Sequence, residues 1–139
     1  MNAEQMICTF EKTILMRRNA MRRELTQHGL HLGQPEMLIY VQAHPGCSQR
    51  EMAEDAGVTA ASIAASFKRM ENAGLIRRRS DTADLRCNRV YITQKGEEEL
   101  ASCQAAMQAL NARMLDGLSE EEISLLHACM EKISRNLAR

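Results

Sequence analysis

Aromatic residues make up only 3% of this 139-residue chain, and tryptophan is absent. The 45% hydrophobic fraction is instead rich in Leu, Ile, Met and Ala, which favours helices over a β-sandwich. Two prolines and seven glycines are too few for a disordered, collagen-like or many-turned all-β chain. No run of about 18 apolar residues occurs, so no membrane span is expected. Glu4, Glu11 and Lys12 interrupt any apolar stretch near the start, and no signal peptide is expected. Cys8, Cys47, Cys87, Cys103 and Cys129 are odd in number and form no C-x-x-C pair, which fits free thiols in a reducing cytoplasm. G-x-S-x-G, P-loop, H-E-x-x-H and G-x-G-x-x-G motifs are all missing, so neither an enzyme nor a cofactor is expected. His28-x-x-His31 is a close pair without thiols or carboxylates beside it, and no metal site is expected.

The length suits one domain spanning residues 1–139, able to bury roughly 68% of its unfolded surface without disulfides or a metal. Eighteen basic and eighteen acidic residues cancel, but they are unevenly placed. Residues 62–92 hold seven basic residues against three acidic ones, whereas residues 97–139 hold four against eight. A basic centre beside an acidic support points to an anion-binding middle segment.

Ile7, Phe10, Ile14, Met21 and Leu25 recur at helical spacing and predict a helix over 4–28, ended by Gly29. Pro35 opens a short helix that carries Met37, Leu38 and Val41 to about Ala43. Ser48-x-x-Glu51 is a capping box for a helix ending near Ala56. Gly57 breaks the chain, and Thr59 caps a helix over 60–73. Residues 75–80 and 88–93 are β-rich and flank a polar loop, which predicts a hairpin. Thr93 then caps a helix over 94–116, with Leu100, Cys103, Met107, Leu110 and Met114 stepping alternately by three and four. Ser119-x-x-Glu122 caps the last helix, whose Ile123, Leu126, Met130, Ile133 and Leu137 repeat that step. Such seams suit helix–helix association, between two chains or within one. The fold class is therefore mainly α with a small β-hairpin.

Residues 48–73 read as a helix-turn-helix, a weak signal alone because αα-hairpins are common. The helix over 60–73 strengthens it. Thr59, Ile63, Phe67 and Met70 form its expected buried stripe, while Ala61, Ser62, Ala65, Lys68 and Arg69 form a small and basic opposite face. A major groove requires such a face, because small side chains allow close approach and hydroxyls or cations meet bases and phosphates. Arg77, Arg78, Arg79, Arg86 and Arg89 make the following hairpin basic, as a wing entering a negative minor groove would be.

The runs Asn72-Ala-Gly-Leu-Ile-Arg-Arg78, Asp81-Thr-Ala-Asp-Leu-Arg86 and Val90-Tyr-Ile-Thr-Gln-Lys-Gly96 resemble the MarR family of bacterial transcriptional regulators. Gln34-Pro35-x-x-Leu38 and Gln49-x-x-Met52-Ala53 fit the same pattern, so the resemblance covers nearly the whole chain. It implies a homodimeric winged helix-turn-helix protein that binds pseudo-palindromic double-stranded DNA, most often as a repressor. By resemblance, residues 34–96 are the DNA-binding part, and residues 1–28 and 97–139 are dimerisation helices. Ser48, Ala61, Ser62, Ala65, Lys68, Arg69, Arg78 and Arg86 are its candidate DNA-binding residues, with Arg86 at the wing tip. Asp84 is the acid that braces the wing beside Arg78. Members often carry a polar or basic residue where this chain has Ala65, whose methyl can still meet a thymine methyl.

The resemblance also implies an input signal. Met16, Met21 and Met37 are expected where the first two helices meet the helix over 94–116, a common place for small effectors in this family; ordinary core packing is the favoured explanation of any one of them. Cys8 and Cys87 are the candidate redox residues: Cys87 lies among arginines, and Cys8 lies about where a peroxide-sensing branch carries its reactive thiol. That branch also supplies nearby tyrosines, which the helix over 4–28 lacks. A coiled-coil adaptor would explain the seams but has no need of the arginine-rich hairpin.

Overall fold

A computed structural model describes residues 2–84 and 86–138, so Leu85 of the wing motif lies outside the described residues. The elements are α1 (Ala3–Gln27), α2 (Gln34–Ala43), α3 (Gln49–Ala56), α4 (Ala60–Asn72), β1 (Ile76–Ser80), β2 (Asn88–Ile92), α5 (Gln94–Leu115) and α6 (Glu120–Leu137). Each agrees with its sequence-based span to within a residue or two at the ends. Asn2 adds a cap that the sequence reading lacked: its side chain accepts from Gln5 N while the Gln5 side chain returns to Asn2 N.

The first compact unit runs to Met107. Its core gathers Leu25 from α1, Leu38 and Val41 from α2, Met52 from α3, Phe67 and Met70 from α4, and Val90 from β2. Phe67, Val41 and Val90 are wholly buried, so this centre is fixed by packing rather than by disulfides. Ile76 pairs with Ile92 and Ser80 with Asn88 in an antiparallel hairpin. The segment before α3 joins that hairpin: Val90 N donates to Cys47 O at 2.9 Å, and Gly46 N donates to Val90 O at 2.9 Å. The wing is thereby tied to the start of the helix-turn-helix.

A close approach fastens α5 to the same unit. The Thr93 hydroxyl accepts from Gly96 N and donates to Gly74 O, and Lys95 Nζ donates to Ala73 O. Gly96 is required here because a methyl group would overlap the Leu75 carbonyl oxygen. The T-x-x-G end of the sequence motif is thus a packing constraint between α5 and the exit from α4.

The second unit, from Gln108 onward, holds the end of α5 and all of α6. Gly117 adopts a positive φ between the helices, and Ser119 and Glu122 make the expected capping box. No described residue of α6 is buried. Its stripe stays open: Leu126 and Met130 are exposed, as are Ile7 and Ile14 of α1. Leu110, by contrast, is buried within the single chain.

Candidate nucleic-acid interface

The two helices of the helix-turn-helix are set by their caps. Ser48 Oγ accepts from Glu51 N at 3.1 Å, and Glu51 returns to Ser48 N at 3.0 Å. Gly57 takes a left-handed φ of 65°, which turns the chain toward α4 without Cβ strain. Thr59 then caps α4 by accepting from Ser62 N. Thr59 is exposed and does not belong to the buried stripe, because a cap must face the free N–H groups of the first turn. Ile63, Phe67 and Met70 are buried as their spacing predicts. Ala61, Ser62, Ala65, Lys68 and Arg69 all lie on exposed surface. Ser48 is half-buried, with its hydroxyl engaged in the cap.

The wing loop is held by its own aspartates. Asp81 Oδ1 accepts from Ala83 N at 2.8 Å, and Asp84 Oδ1 accepts from Arg86 N at 3.0 Å. Asp81 N also donates to Cys87 O across the loop. Arg86 is exposed, and its guanidinium has no ion-pair partner among the described residues. Lys68 and Arg69 are likewise without ion pairs among the described residues. Cations left uncompensated by the fold are available to a polyanion.

The bracing differs from the expected Asp84–Arg78 pairing. Arg78 turns to α4, where its Nε lies 2.7 Å from Glu71 Oε2 without an aligned hydrogen bond. Asp84 makes no ion pair among the described residues, and its carboxylate accepts from the Arg86 backbone N–H. The side-chain brace is Arg89, whose Nε and Nη2 lie 3.0 and 2.9 Å from Asp81 Oδ2. Arg89 Nη1 also donates to Gly46 O and lies 3.6 Å from Glu51 Oε1, so one guanidinium joins the wing root to the cap of α3. The Ala83 N–H and then Arg89 hold the Asp81 carboxyl below its ordinary value, and Asp81 holds the Arg89 guanidinium above its own. Sequence reasoning missed this pair. The signal was Asp81 directly after the first strand, with Arg89 across the hairpin.

The rest of the basic hairpin is arranged by register. Arg77 faces Tyr91 and lies 5.0 Å from its ring centroid, a cation–π contact. Arg79 stands opposite Arg89, and such a like-charged pair is unfavourable unless an anion is near, as Asp81 is. A cleft of about 370 Å³ lies between the wing and the helix-turn-helix, lined by Ser48, Gln49, Arg50 and Ala60 on one side and Asp84, Arg86 and Cys87 on the other. Cys87 is half-buried there, and Cys8 is exposed on α1. Burial pushes the Cys47 and Cys103 thiols up. Of the three methionines expected near an effector, Met16 is 61% exposed and Met21 Sδ lies 2.7 Å from Arg17 Nη1. Met37 lines a sizeable cleft between α2, α3 and α4. His28 pairs with Glu99 of α5 at 3.4 Å rather than with His31.

A capped helix pair, a second helix with one exposed face and a basic hairpin packed against α2 and α4 define a winged helix-turn-helix protein. The MarR family model matches residues 28–86. The HTH-type transcriptional regulator BilQ of Clostridium symbiosum is 30% identical over 114 residues, which cover 82% of this chain and 79% of that protein. The chain belongs to the MarR family of DNA-binding transcriptional regulators. Solved structures support the fold. YusO from Bacillus subtilis superposes with a TM-score of 0.81 at 22% identity, covering 97% of this chain and 99% of that one. The transcriptional repressor CouR, solved bound to a 23-mer DNA duplex, gives a TM-score of 0.73 at 21% identity, covering 91% and 89%. No helix of the described residues is long and apolar enough to cross a membrane.

Proposed function

We propose that this protein is a homodimeric, ligand-responsive repressor that binds a pseudo-palindromic operator through residues 34–96. The observation that carries the reading is the cleft between the wing and the helix-turn-helix. It brings Arg86 beside the starts of α3 and α4, with the guanidinium free of ion pairs among the described residues. In this reading Ala61, Ser62 and Ala65 approach base edges in the major groove. Lys68 and Arg69 meet phosphates, and Arg86 enters the adjacent minor groove. Ser48 contributes at the capped N-terminus of α3, where helix N–H groups favour an anion. Arg78 supports this surface indirectly, by holding β1 against Glu71 of α4.

The homodimer follows from the open stripes. Residues 1–28 and 97–139 carry exposed Ile7, Ile14, Leu126 and Met130. A second copy would cover such apolar surface, and two copies related by a two-fold axis would present two α4 helices to DNA. An effector would act by favouring a spacing of those helices that no longer matches the operator.

The test is selection of bound fragments from the protein's own genomic DNA. Enrichment of a few sites sharing one inverted repeat is expected. Recovery of fragments without a common sequence would overturn sequence-specific binding.

A further inference from the structure

The cleft between α2, α3 and α4 is lined, Ser62 apart, by residues that operator binding does not use. Its volume is about 620 Å³, within the usual range for drug-sized ligands. Leu32, Met37, Ile39, Met52 and Val58 give it an apolar wall. Glu36 and Asp55 are its carboxylates, and among the described residues neither lysine nor arginine lines it. Tyr40 lies between these features, its ring stacked on His44 with centroids 4.3 Å apart. Burial and then the charge of Asp55 hold the Tyr40 phenol above its ordinary value.

These features select the sign of a ligand. An anion would meet two carboxylates with no cation to offset them, and such like-charge juxtaposition excludes it. A cation would meet the carboxylates and an aromatic face, while its apolar body displaces water from the methionine and aliphatic wall. Ser62, Ile63 and Ser66 of α4 form part of the same wall, so an occupant touches the helix proposed to read DNA.

We infer that this cleft binds a lipophilic organic cation, an amine or quaternary onium group on an aromatic or alkyl body, and that its occupation releases the operator. The second half rests on the operator-binding reading; the first does not. Coupling arises because a ligand wedged against α4 favours positions of that helix that differ from the DNA-bound one.

Isothermal titration of the full chain with tetraphenylphosphonium, and with tetraphenylborate as its counterpart of similar shape and opposite charge, tests the site. Phosphonium is expected to bind, and Glu36→Gln/Asp55→Asn to weaken it at least tenfold without weakening borate. Both positions are exposed and the replacements keep their shape, so an unchanged thermal midpoint should confirm folding. Absence of phosphonium binding, or equal binding by the double variant, would overturn the site. Phosphonium should also release a selected genomic fragment from the wild type and not from the double variant. Binding without release would overturn the coupling alone. A chain that binds phosphonium but no genomic fragment would overturn the operator reading and leave the cation site standing.

Discussion

Arg89 grips Asp81 through two guanidinium nitrogens, at 3.0 and 2.9 Å, and reaches Gly46 O and Glu51 with a third. The wing is thus held in shape before any DNA arrives. Such preorganisation lowers the ordering cost on binding. Asp81→Ala or Arg89→Ala should therefore weaken operator binding by about 0.5–1.5 kcal/mol, the usual cost of ordering a side chain or short loop. Asp84→Ala should act more mildly, since it loses only one backbone hydrogen bond. Fluorescence anisotropy against a selected fragment measures both, and a larger loss at Asp84 than at Asp81 would contradict the assignment.

The same contact sets a pH dependence. Asp81 has a lowered folded value, caused first by the Ala83 N–H and then by Arg89. Its contribution is fully present above the ordinary aspartate value of about 3.9, and is lost as pH falls below that value through the lower folded one. An NMR titration of the Asp81 carboxyl carbon should give a midpoint below that of Asp81 in the urea-unfolded chain.

Arg86 is exposed at the wing and unpaired among the described residues, so its loss should cost DNA contacts and little stability. Arg86→Ala should weaken binding by about 1–3 kcal/mol. It should also reduce the slope of log K against log salt by about 0.9, because one fewer counterion is released. An unchanged affinity and salt slope would remove Arg86 from the interface.

Gly96→Ala places a methyl on the Leu75 carbonyl oxygen and against Ile92. Overpacking of this kind costs about 1–3 kcal/mol. Urea unfolding should show a lower midpoint, and a wild-type midpoint would mean that α5 does not need this close approach.

Much of this architecture was legible in the sequence because local signals carried it. The Ser48–Glu51 and Ser119–Glu122 boxes, Gly57, and the spacing of Ile63, Phe67 and Met70 each fix a local conformation. Long-range pairings were not legible. Arg89 with Asp81 and Arg78 with Glu71 depend on which face each strand residue presents, and a hairpin rich in arginine offers several equivalent choices. The Cys47–Val90 bridge escaped for a similar reason: one backbone pairing between distant segments leaves no periodic trace. Thr59 fits the stripe by spacing, but its hydroxyl is needed at the cap.

The apolar stripes make a separate prediction about assembly. Leu126 is 41% exposed and Met130 38%, whereas Leu110 is 5% exposed. Leu126→Asp/Met130→Asp should therefore yield a folded monomer in sedimentation velocity, because it places charges in the interface and leaves the interior of the chain intact. Leu110→Asp should lower the thermal midpoint as well. A stable dimer of the Leu126/Met130 variant would move the interface elsewhere.

Hydroxyl-radical footprinting of the wild-type protein on an enriched genomic fragment tests the central claim most directly. Two α4 helices related by a dimer two-fold axis should protect two inverted half-sites, with centres about 10 bp apart or a small multiple of one helical turn. Protection of one asymmetric, unrepeated half-site would contradict it.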